Sequence, residues 1–130
     1  MRELIALEAF PKPKFRYSPC VRTGPFYEIS GMIALDPIAG TLVEGGPEAE
    51  TARILETLGA GLAELGMTWD NVVSARIFTT RFEDFPAINR AWEGVFTADV
   101  APPARTAVGV SALPLGATVE MEFRLYRAEA

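Results

Sequence analysis

A strict alternation of apolar and polar side chains over residues 117–126 constrains the fold more than any other feature of the chain. The apolar positions are Ala117, Val119, Met121, Phe123 and Leu125, and the polar positions are Thr118, Glu120, Glu122, Arg124 and Tyr126. A period of two is typical of a β-strand that packs one face on a core and leaves the other face polar. The segment is therefore predicted to be a strand with Glu120 on its polar face.

A second strand is predicted just before it, within the segment of residues 101–110. Arg105 lies in this strand beside small residues such as Ala107, so that open space is left in front of its guanidinium group. We expect the two strands to pair antiparallel about a corner at Leu113-Pro114. That pairing would set Arg105 roughly opposite Glu120, so that a cation and a carboxylate share one hollow.

An amphipathic helix is predicted over residues 47–65, since a proline begins it and Gly66 is a natural C-terminal stop. Its apolar stripe consists of Ala52, Leu55, Leu58, Leu62 and Leu65. Gly59 and Gly61 lie inside this helix, where each glycine costs up to about 1 kcal/mol relative to alanine. We expect close packing against the sheet to compensate for that cost.

A second helix is predicted after Asp84, whose side chain can cap the N-terminus of the helix. Apolar side chains follow at helical spacing, at Phe85, Ile88, Trp92 and Phe96. Such an aromatic stripe is typical of a helix that faces a core, and not of a cofactor site.

Four more strands are predicted, over residues 3–10, 15–23, 26–35 and 71–80. In the third of them Gly31 indicates a bulge or a close backbone approach. The order of elements predicts an α+β fold in which two amphipathic helices cover one face of the sheet. The other face is expected to carry apolar side chains, Met32 and Phe78 among them, which favours burial by another chain in a closed cyclic oligomer.

Composition excludes several kinds of chemistry. The 130 residues fit one domain and include no histidine, so that His-dependent triads and His metal ligands are excluded. Lysine occurs only at Lys12 and Lys14, which argues against a Schiff-base lysine in the core. Cys20, the single cysteine, is expected to be an inert core thiol in a reducing compartment.

The charge and hydropathy of the chain limit its partners and its location. A net charge of −5 argues against nucleic acid as a partner. The apolar runs are too short to span a bilayer, so that no membrane partner is expected. The sequence therefore predicts a soluble, cytoplasmic protein.

Six short segments carry a family resemblance because they occur together and in one order. They are Tyr17-Ser18-Pro19, ISGMIALDP at 29–37, DNVV at 70–73, FPAIN at 85–89, PARTA at 103–107 and LPLGATVEME at 113–122. On these segments the chain is identified as a member of the RidA/YjgF family of reactive-imine deaminases. The set covers nearly the whole chain, and a single RidA-like domain over residues 1–130 is predicted.

The resemblance implies a fold, an assembly and an activity. The implied fold is the chorismate-mutase-like α+β subunit, a mixed β-sheet with two helices on one face. The implied assembly is a homotrimer with a central barrel and with clefts between neighbouring subunits. The implied reaction is hydrolysis of 2-iminobutanoate, 2-iminopropanoate and similar 2-imino acids to 2-keto acids and ammonia. Because an imine is already reactive, no metal, cofactor or covalent nucleophile is expected.

The resemblance also implies roles for individual residues. Arg105 would bind the substrate carboxylate with its two-pronged guanidinium group. Glu120 would orient or deprotonate the attacking water and return a proton to the departing nitrogen. The same pocket would be lined by Tyr17, by Ser30 and Gly31, and by the backbone at Ala107.

Three residues depart from the family's pattern. Ala107 stands where many deaminating members have cysteine, and little effect is expected because the contact there is thought to be main-chain. Met32 replaces a frequent glutamine. Glu28 adds a carboxylate on the face of Ser30, and it is either a group near the cleft that changes substrate choice or an exposed or interface charge.

Other interpretations compete with the enzyme. Arg105 could form an ordinary salt bridge with Glu120 or Glu122, since ion pairs between strands are common. Tyr17 could be a packing aromatic. At the level of function, the alternatives are a trimeric module that binds small carboxylates without turnover, a regulatory or chaperone-like protein, and a ribonuclease. The need for Glu120 separates turnover from binding alone.

Overall fold

The computed structural model describes residues 1–128 as one mixed six-stranded sheet with two α-helices. The strands are β1 (Glu3–Leu4), β2 (Cys20–Thr23), β3 (Phe26–Met32), β4 (Val72–Thr79), β5 (Ala104–Gly109) and β6 (Val119–Tyr126), and the helices are α1 (Gly46–Leu65) and α2 (Phe85–Val95). The order in the sheet is β1-β2-β3-β6-β4-β5. Only β4 and β5 run parallel to each other. The predicted α+β class with a mixed sheet and two helices is confirmed.

Strand β6 is central, and its predicted alternation is confirmed. The buried side chains are Val119, Met121, Phe123 and Leu125, each no more than 2% exposed. They belong to the core that the sheet forms with the buried faces of α1 and α2. Glu120 lies on the opposite, open face, as do its register neighbour Phe78 on β4 and the Glu122–Arg76 pair.

The predicted pairing of β5 with β6 is wrong. Strand β5 pairs in parallel with β4, and β6 lies between β3 and β4. Arg105 is therefore in register with Ala75 on β4, and Ala75 is in register with Phe123 on β6. Residues in register share a face of the sheet, so the Arg105 side chain lies on the helix-covered face. The corner at Leu113-Pro114 carries the chain past β4 instead of closing a hairpin. Adjacent strands in sequence suggest pairing, but they do not dictate it.

The bulge predicted at Gly31 is confirmed, and it overturns the predicted place of Met32. The register between β3 and β6 shifts between Ile29 and Met32, so that one extra residue enters β3 there. A one-residue shift moves the next side chain to the other face. Met32 consequently packs into the core, 8% exposed, and β3 ends at this residue instead of at residue 35.

The two N-terminal strands are shorter than predicted. Strand β1 has two residues, because the chain turns at residues 7–10, where the Phe10 amide donates to the Leu7 carbonyl. Residues 15–19 are irregular, and β2 begins only at Cys20. The strand predicted over 71–80 is present as β4 with one residue fewer at each end.

Helix α1 matches its predicted bounds within one residue, but its buried face differs from the predicted stripe. Ile54 is fully buried, Ala52 is exposed, and Leu65 is half-buried. The two glycines do allow close packing, although against aromatic side chains and not against the sheet. A Cβ at Gly59 would lie 3.0 Å from the Trp69 ring, and one at Gly61 would lie 2.5 Å from the Phe10 ring.

Helix α2 buries Ile88 and Trp92, which confirms the aromatic stripe as core. The predicted capping role of Asp84 is wrong, because the Asp84 carboxylate makes no cap hydrogen bond. It forms an ion pair with Arg81 at 2.5 Å instead. Within residues 1–128, neither helix is long and apolar enough to cross a membrane.

We expect Gly61→Ala and Gly94→Ala to change stability in opposite directions. Alanine at position 61 must displace the buried Phe10 ring, which costs about 1–3 kcal/mol as overpacking and outweighs the gain in helix propensity. Gly94 lies in α2 with nothing within 4 Å of an added Cβ, so its substitution should stabilise by up to about 1 kcal/mol. Urea denaturation midpoints at constant m measure both changes. Equal effects at the two positions would contradict this packing argument.

Candidate functional site

A cavity of about 870 Å³ opens beside the bulge of β3. Its wall contains four of the predicted site residues, namely Tyr17, Ser30, Gly31 and Glu120. The irregular segment 10–19, the end of β3 and the corner at 113–115 surround it. Most of the remaining wall is apolar. One chain therefore brings together the polar residues of one half of the predicted site.

Glu120 projects into this cavity as a half-buried carboxylate. It makes no hydrogen bond or ion pair with any residue from 1 to 128. The bulge makes room for it, since a Cβ at Gly31 would lie 2.9 Å from Glu120 Oε2. Burial, and secondly the negative charge of Glu122, raise the pKa of the Glu120 carboxyl above its usual 4.5. Such a group takes up and releases protons more readily near neutral pH than an ordinary glutamate.

The position of Glu120 along the sheet is fixed by Glu50 of α1. The Glu50 carboxylate is 2% exposed and accepts three hydrogen bonds at the start of β6. The donors are Thr118 N at 2.9 Å, Thr118 Oγ1 at 2.7 Å and Val119 N at 3.3 Å. A buried carboxylate requires such donors to offset the loss of hydration. These bonds hold the residue just before Glu120.

Ser30 joins the bulge to the segment that carries Tyr17. Its Oγ donates to the Ser18 carbonyl at 2.6 Å, and its amide donates to the Pro19 carbonyl at 2.9 Å. Tyr17 is 50% exposed, so that its ring faces the cavity and solvent instead of filling the core. Tyr17 therefore does not pack inside the core of the single chain.

Arg105 and Ala107 lie outside the cavity, on the opposite side of the sheet from Glu120. Their register partners on β4 are Ala75 and Ile77, which both face the core. The expectation that Arg105 and Glu120 share one hollow within a chain is wrong. The reason is the strand order, which gives β5 a parallel neighbour and makes it an edge strand.

Aromatic rings, and not small residues, surround the Arg105 guanidinium group. Its Cζ lies 5.2 Å from the centre of the Phe85 ring and 5.0 Å from that of Trp92, both on α2. Cation–π contacts of this kind hold the plane of the guanidinium and leave its N–H edge free. Arg105 forms no ion pair within the described chain, and Glu122 pairs with Arg76 at 2.9 Å. The salt-bridge interpretation of Arg105 is wrong for the single chain.

Glu28 and Cys20 take no part in the cavity. Glu28 accepts from Arg124 Nε at 2.6 Å on the open face, and it is absent from the cavity wall. The thiol of Cys20 is fully buried, and burial raises its pKa to about 11. It is therefore an inert core thiol, as predicted. Among residues 1–128, no three or more His, Cys, Asp and Glu side chains are grouped so as to hold a metal ion.

Sequence reasoning missed the aromatic contacts of Arg105 and the anchoring role of Glu50. The sequence predicts that Phe85 and Trp92 lie on a core-facing stripe, but only the strand order reveals that Arg105 lies against them. Glu50 had a detectable signal. It stands one helical turn before Ile54, so that a charged residue falls on the buried face of α1.

Comparison with known proteins gives consistent matches over nearly the whole chain. The family model described as Endoribonuclease L-PSP matches residues 7–125. A RutC family protein of Pyrococcus abyssi is 34% identical over 97% of this chain and 98% of its own length. The mouse 2-iminobutanoate/2-iminopropanoate deaminase is also 34% identical, over 94% of this chain and 89% of its own. The crystal structure of RidA from an Antarctic Psychrobacter superposes with a TM-score of 0.88 and 31% identity, over 96% and 99% of the two chains.

We expect the Glu120 carboxyl to titrate above pH 4.5 and to respond to its neighbour. Glu122→Gln removes the smaller of the two causes, so the pKa should fall while remaining above 4.5 because burial persists. Carboxyl ¹³C chemical shifts followed against pH measure it. Glu28→Gln is the matched control, a carboxylate on the same face whose partner is Arg124, and it should leave the titration of Glu120 unchanged. A Glu120 pKa at or below 4.5 in the native protein would contradict this account.

Proposed function

We propose that this chain hydrolyses reactive 2-imino acids to 2-keto acids and ammonia. The chain belongs to the Endoribonuclease L-PSP family, which includes the RidA and YjgF proteins. The substrates would be of the 2-iminobutanoate and 2-iminopropanoate class, which the printed name of the mouse relative gives. The observation that carries the proposal is Glu120, an unpaired half-buried carboxylate with a raised pKa in the wall of a ligand-sized cavity.

The reaction balances without a cofactor. Water adds to the imine carbon of R–C(=NH)–COO⁻, a C–O bond forms, and the C–N bond then breaks to give R–C(=O)–COO⁻ and NH₃. Glu120 orients the water and takes its proton, and it then returns a proton to the departing nitrogen. Because burial raises its pKa, the same carboxyl group can serve in both directions.

Arg105 would bind the substrate carboxylate through its free N–H edge. The aromatic contacts leave that edge available, since they engage the face of the guanidinium. Fixing the carboxylate places the imine carbon relative to the water and reduces the entropic part of the barrier. Tyr17, Ser30 and Gly31 shape the pocket around Glu120, and the backbone at Ala107 lines the Arg105 side.

The two halves would meet between subunits. Arg105 and Glu120 of one chain lie on opposite sides of its sheet, so that one chain alone cannot place both on a small substrate. A cyclic assembly in which the β5 edge of one copy meets the open face of the next would join Arg105 of the first to Glu120 of the second. Homotrimers, which the family resemblance implies, fit this arrangement with three equivalent clefts.

Three further parts of the proposal concern the rest of the molecule. One contiguous core runs through the described residues, which supports a single domain. A reducing compartment such as the cytoplasm suits a chain whose only cysteine is buried and unreactive. A ribonuclease activity, which the family description names, is disfavoured by the net charge of −5.

We expect Arg105→Ala to reduce imine hydrolysis at least about 100-fold through loss of substrate positioning. Glu120→Gln should reduce turnover about 10²–10⁴-fold while retaining carboxylate binding. Refolding the two variants together should restore part of the activity, because an interface can then combine Arg105 of one copy with Glu120 of another. The assay generates the imine with threonine dehydratase and follows release of the keto acid, with semicarbazide as an imine trap.

The refolded mixture distinguishes a shared site from a site within one chain. Each variant refolded alone is the control. A mixture no more active than the variants alone would argue against a site shared between copies. Wild-type protein that does not accelerate hydrolysis above the uncatalysed rate, but still binds keto acids, would support the non-catalytic carboxylate-binding module instead.

We expect Phe85 to act as a positioning residue for Arg105. Phe85→Leu keeps apolar bulk but loses the ring face, so KM should rise about fivefold while kcat changes less than about twofold. Phe82→Leu is the matched control, since the Phe82 ring stacks on Phe85 at 5.1 Å on the neighbouring 3₁₀ turn. Phe85→Tyr should restore KM because it restores a ring. A fall in kcat and thermal stability with unchanged KM would show a structural role only.

A further inference from the structure

The only two lysines of the chain lie together in the wall of the cavity that contains Glu120. Lys12 and Lys14 are both exposed, and both belong to the irregular segment between β1 and β2. The segment from residue 11 to residue 22 includes Arg16 and Arg22 as well, and it contains no acidic residue. Lys12 and Lys14 therefore place two positive charges in the wall of this cavity, in a protein whose net charge is −5.

The ammonium groups of Lys12 and Lys14 have N–H groups that are not used in hydrogen bonds within the described chain. Lys14 Nζ donates to the Gly40 carbonyl at 3.3 Å, which leaves two of its three N–H groups available. Lys12 has no hydrogen bond or ion pair with any residue from 1 to 128. Both acidic residues in the wall lie on β6, where Glu122 is already paired with Arg76. The lysines thus remain available to an anion inside the cavity.

The cavity is large enough for a ligand that has more than a small side chain. Its volume of about 870 Å³ lies near the upper end for sites that take drug-sized ligands, roughly 300–1,000 Å³. Most of its wall is apolar, and Ile33, Leu35 and Leu115 belong to that apolar part. Leu35 is four residues from Gly31, so that the backbone between them spans at most about 14 Å. Gly40, which holds Lys14, closes the turn directly after Leu35.

We propose that this cavity selects 2-imino acids whose side chain ends in a second anionic group. The inference rests on the proposed function, and it adds the class of side chain. The α-carboxylate and the imine carbon lie at the Glu120 end, the methylene groups lie along the apolar wall, and Lys12 and Lys14 bind the terminal anion. Imines of acidic amino acids have this chemistry, and an oxidation of an acidic amino acid at its α-amine would supply them.

The test measures binding of stable keto acids by isothermal titration calorimetry at low ionic strength. The probes are 2-oxoglutarate, which has a terminal carboxylate, and 2-oxohexanoate, which has a similar length and ends in a methyl group. The wild-type protein should bind 2-oxoglutarate about tenfold more tightly, as expected for charge-assisted hydrogen bonds at a partly exposed site. In the double variant Lys12→Gln/Lys14→Gln the preference should disappear, with the affinity for 2-oxohexanoate unchanged within about twofold.

Arg16→Gln is the matched control. Arg16 comes from the same basic segment but lines a different, smaller hollow of about 510 Å³, so this variant should keep the preference for 2-oxoglutarate. Equal affinity of the wild type for the two probes would overturn the inference. So would an equal loss of both ligands in the double variant, because the lysines would then attract any anion without selecting the side chain.

Imine turnover separates a failure of this inference from a failure of the proposed function. Hydrolysis of neutral imines without a preference for 2-oxoglutarate would overturn the side-chain selectivity and leave the enzyme intact. A preference for 2-oxoglutarate, abolished in the double variant, without turnover of any imine would overturn the enzyme and leave a dicarboxylate-binding site.

Discussion

The buried hydrogen bonds between Glu50 of α1 and the start of β6 determine on which face of the sheet Glu120 lies. Glu50 accepts both the amide and the hydroxyl of Thr118 and also the amide of Val119. A carboxylate that is 2% exposed is stable only in such a geometry, because a slipped strand would leave it without donors. Helix and central strand are therefore held in one register. Because side chains alternate between the two faces of a strand, this register places Glu120 on the open face of the sheet.

The same alternation separates the two halves of the site. Val119 faces the core, so Glu120 cannot, whereas Arg105 shares the core side of the sheet with Ala75. No rotamer can bring the two side chains of one chain together through a packed sheet. Assembly and catalysis are thereby coupled in the proposed enzyme, since the geometry needed for turnover arises only where two copies meet. The binding-module alternative has the same dependence on assembly but no need for Glu120.

The sequence predicts the features that depend on local residue patterns. It does not predict the features that depend on which strands pair over long distances in the chain. The alternation in β6, the two helices, the bulge at Gly31 and the class of fold were all predictable from period and turn residues. The partner of β5 was not, because a parallel neighbour reached through α2 leaves no mark on residues 104–110 themselves. Met32 was misplaced for a related reason. A glycine can indicate a bulge, but only the register with β6 shows that the bulge moves Met32 to the other face of the sheet.

The carboxylates of the open face differ in whether they have a partner. Glu28 is paired with Arg124, and Glu122 is paired with Arg76, so that these carboxylates have satisfied partners across neighbouring strands. Glu120 is the open-face residue of β6 next to Glu122, and it has no such partner within the described chain. Gly31 gives it space, where any side chain would crowd its Oε2. On the other half, Phe85 and Trp92 hold Arg105 by its face without neutralising it. In the proposed enzyme, Arg105 would bind the carboxylate of the 2-imino acid and Glu120 would activate the water, and only the assembly of two copies would bring these groups together.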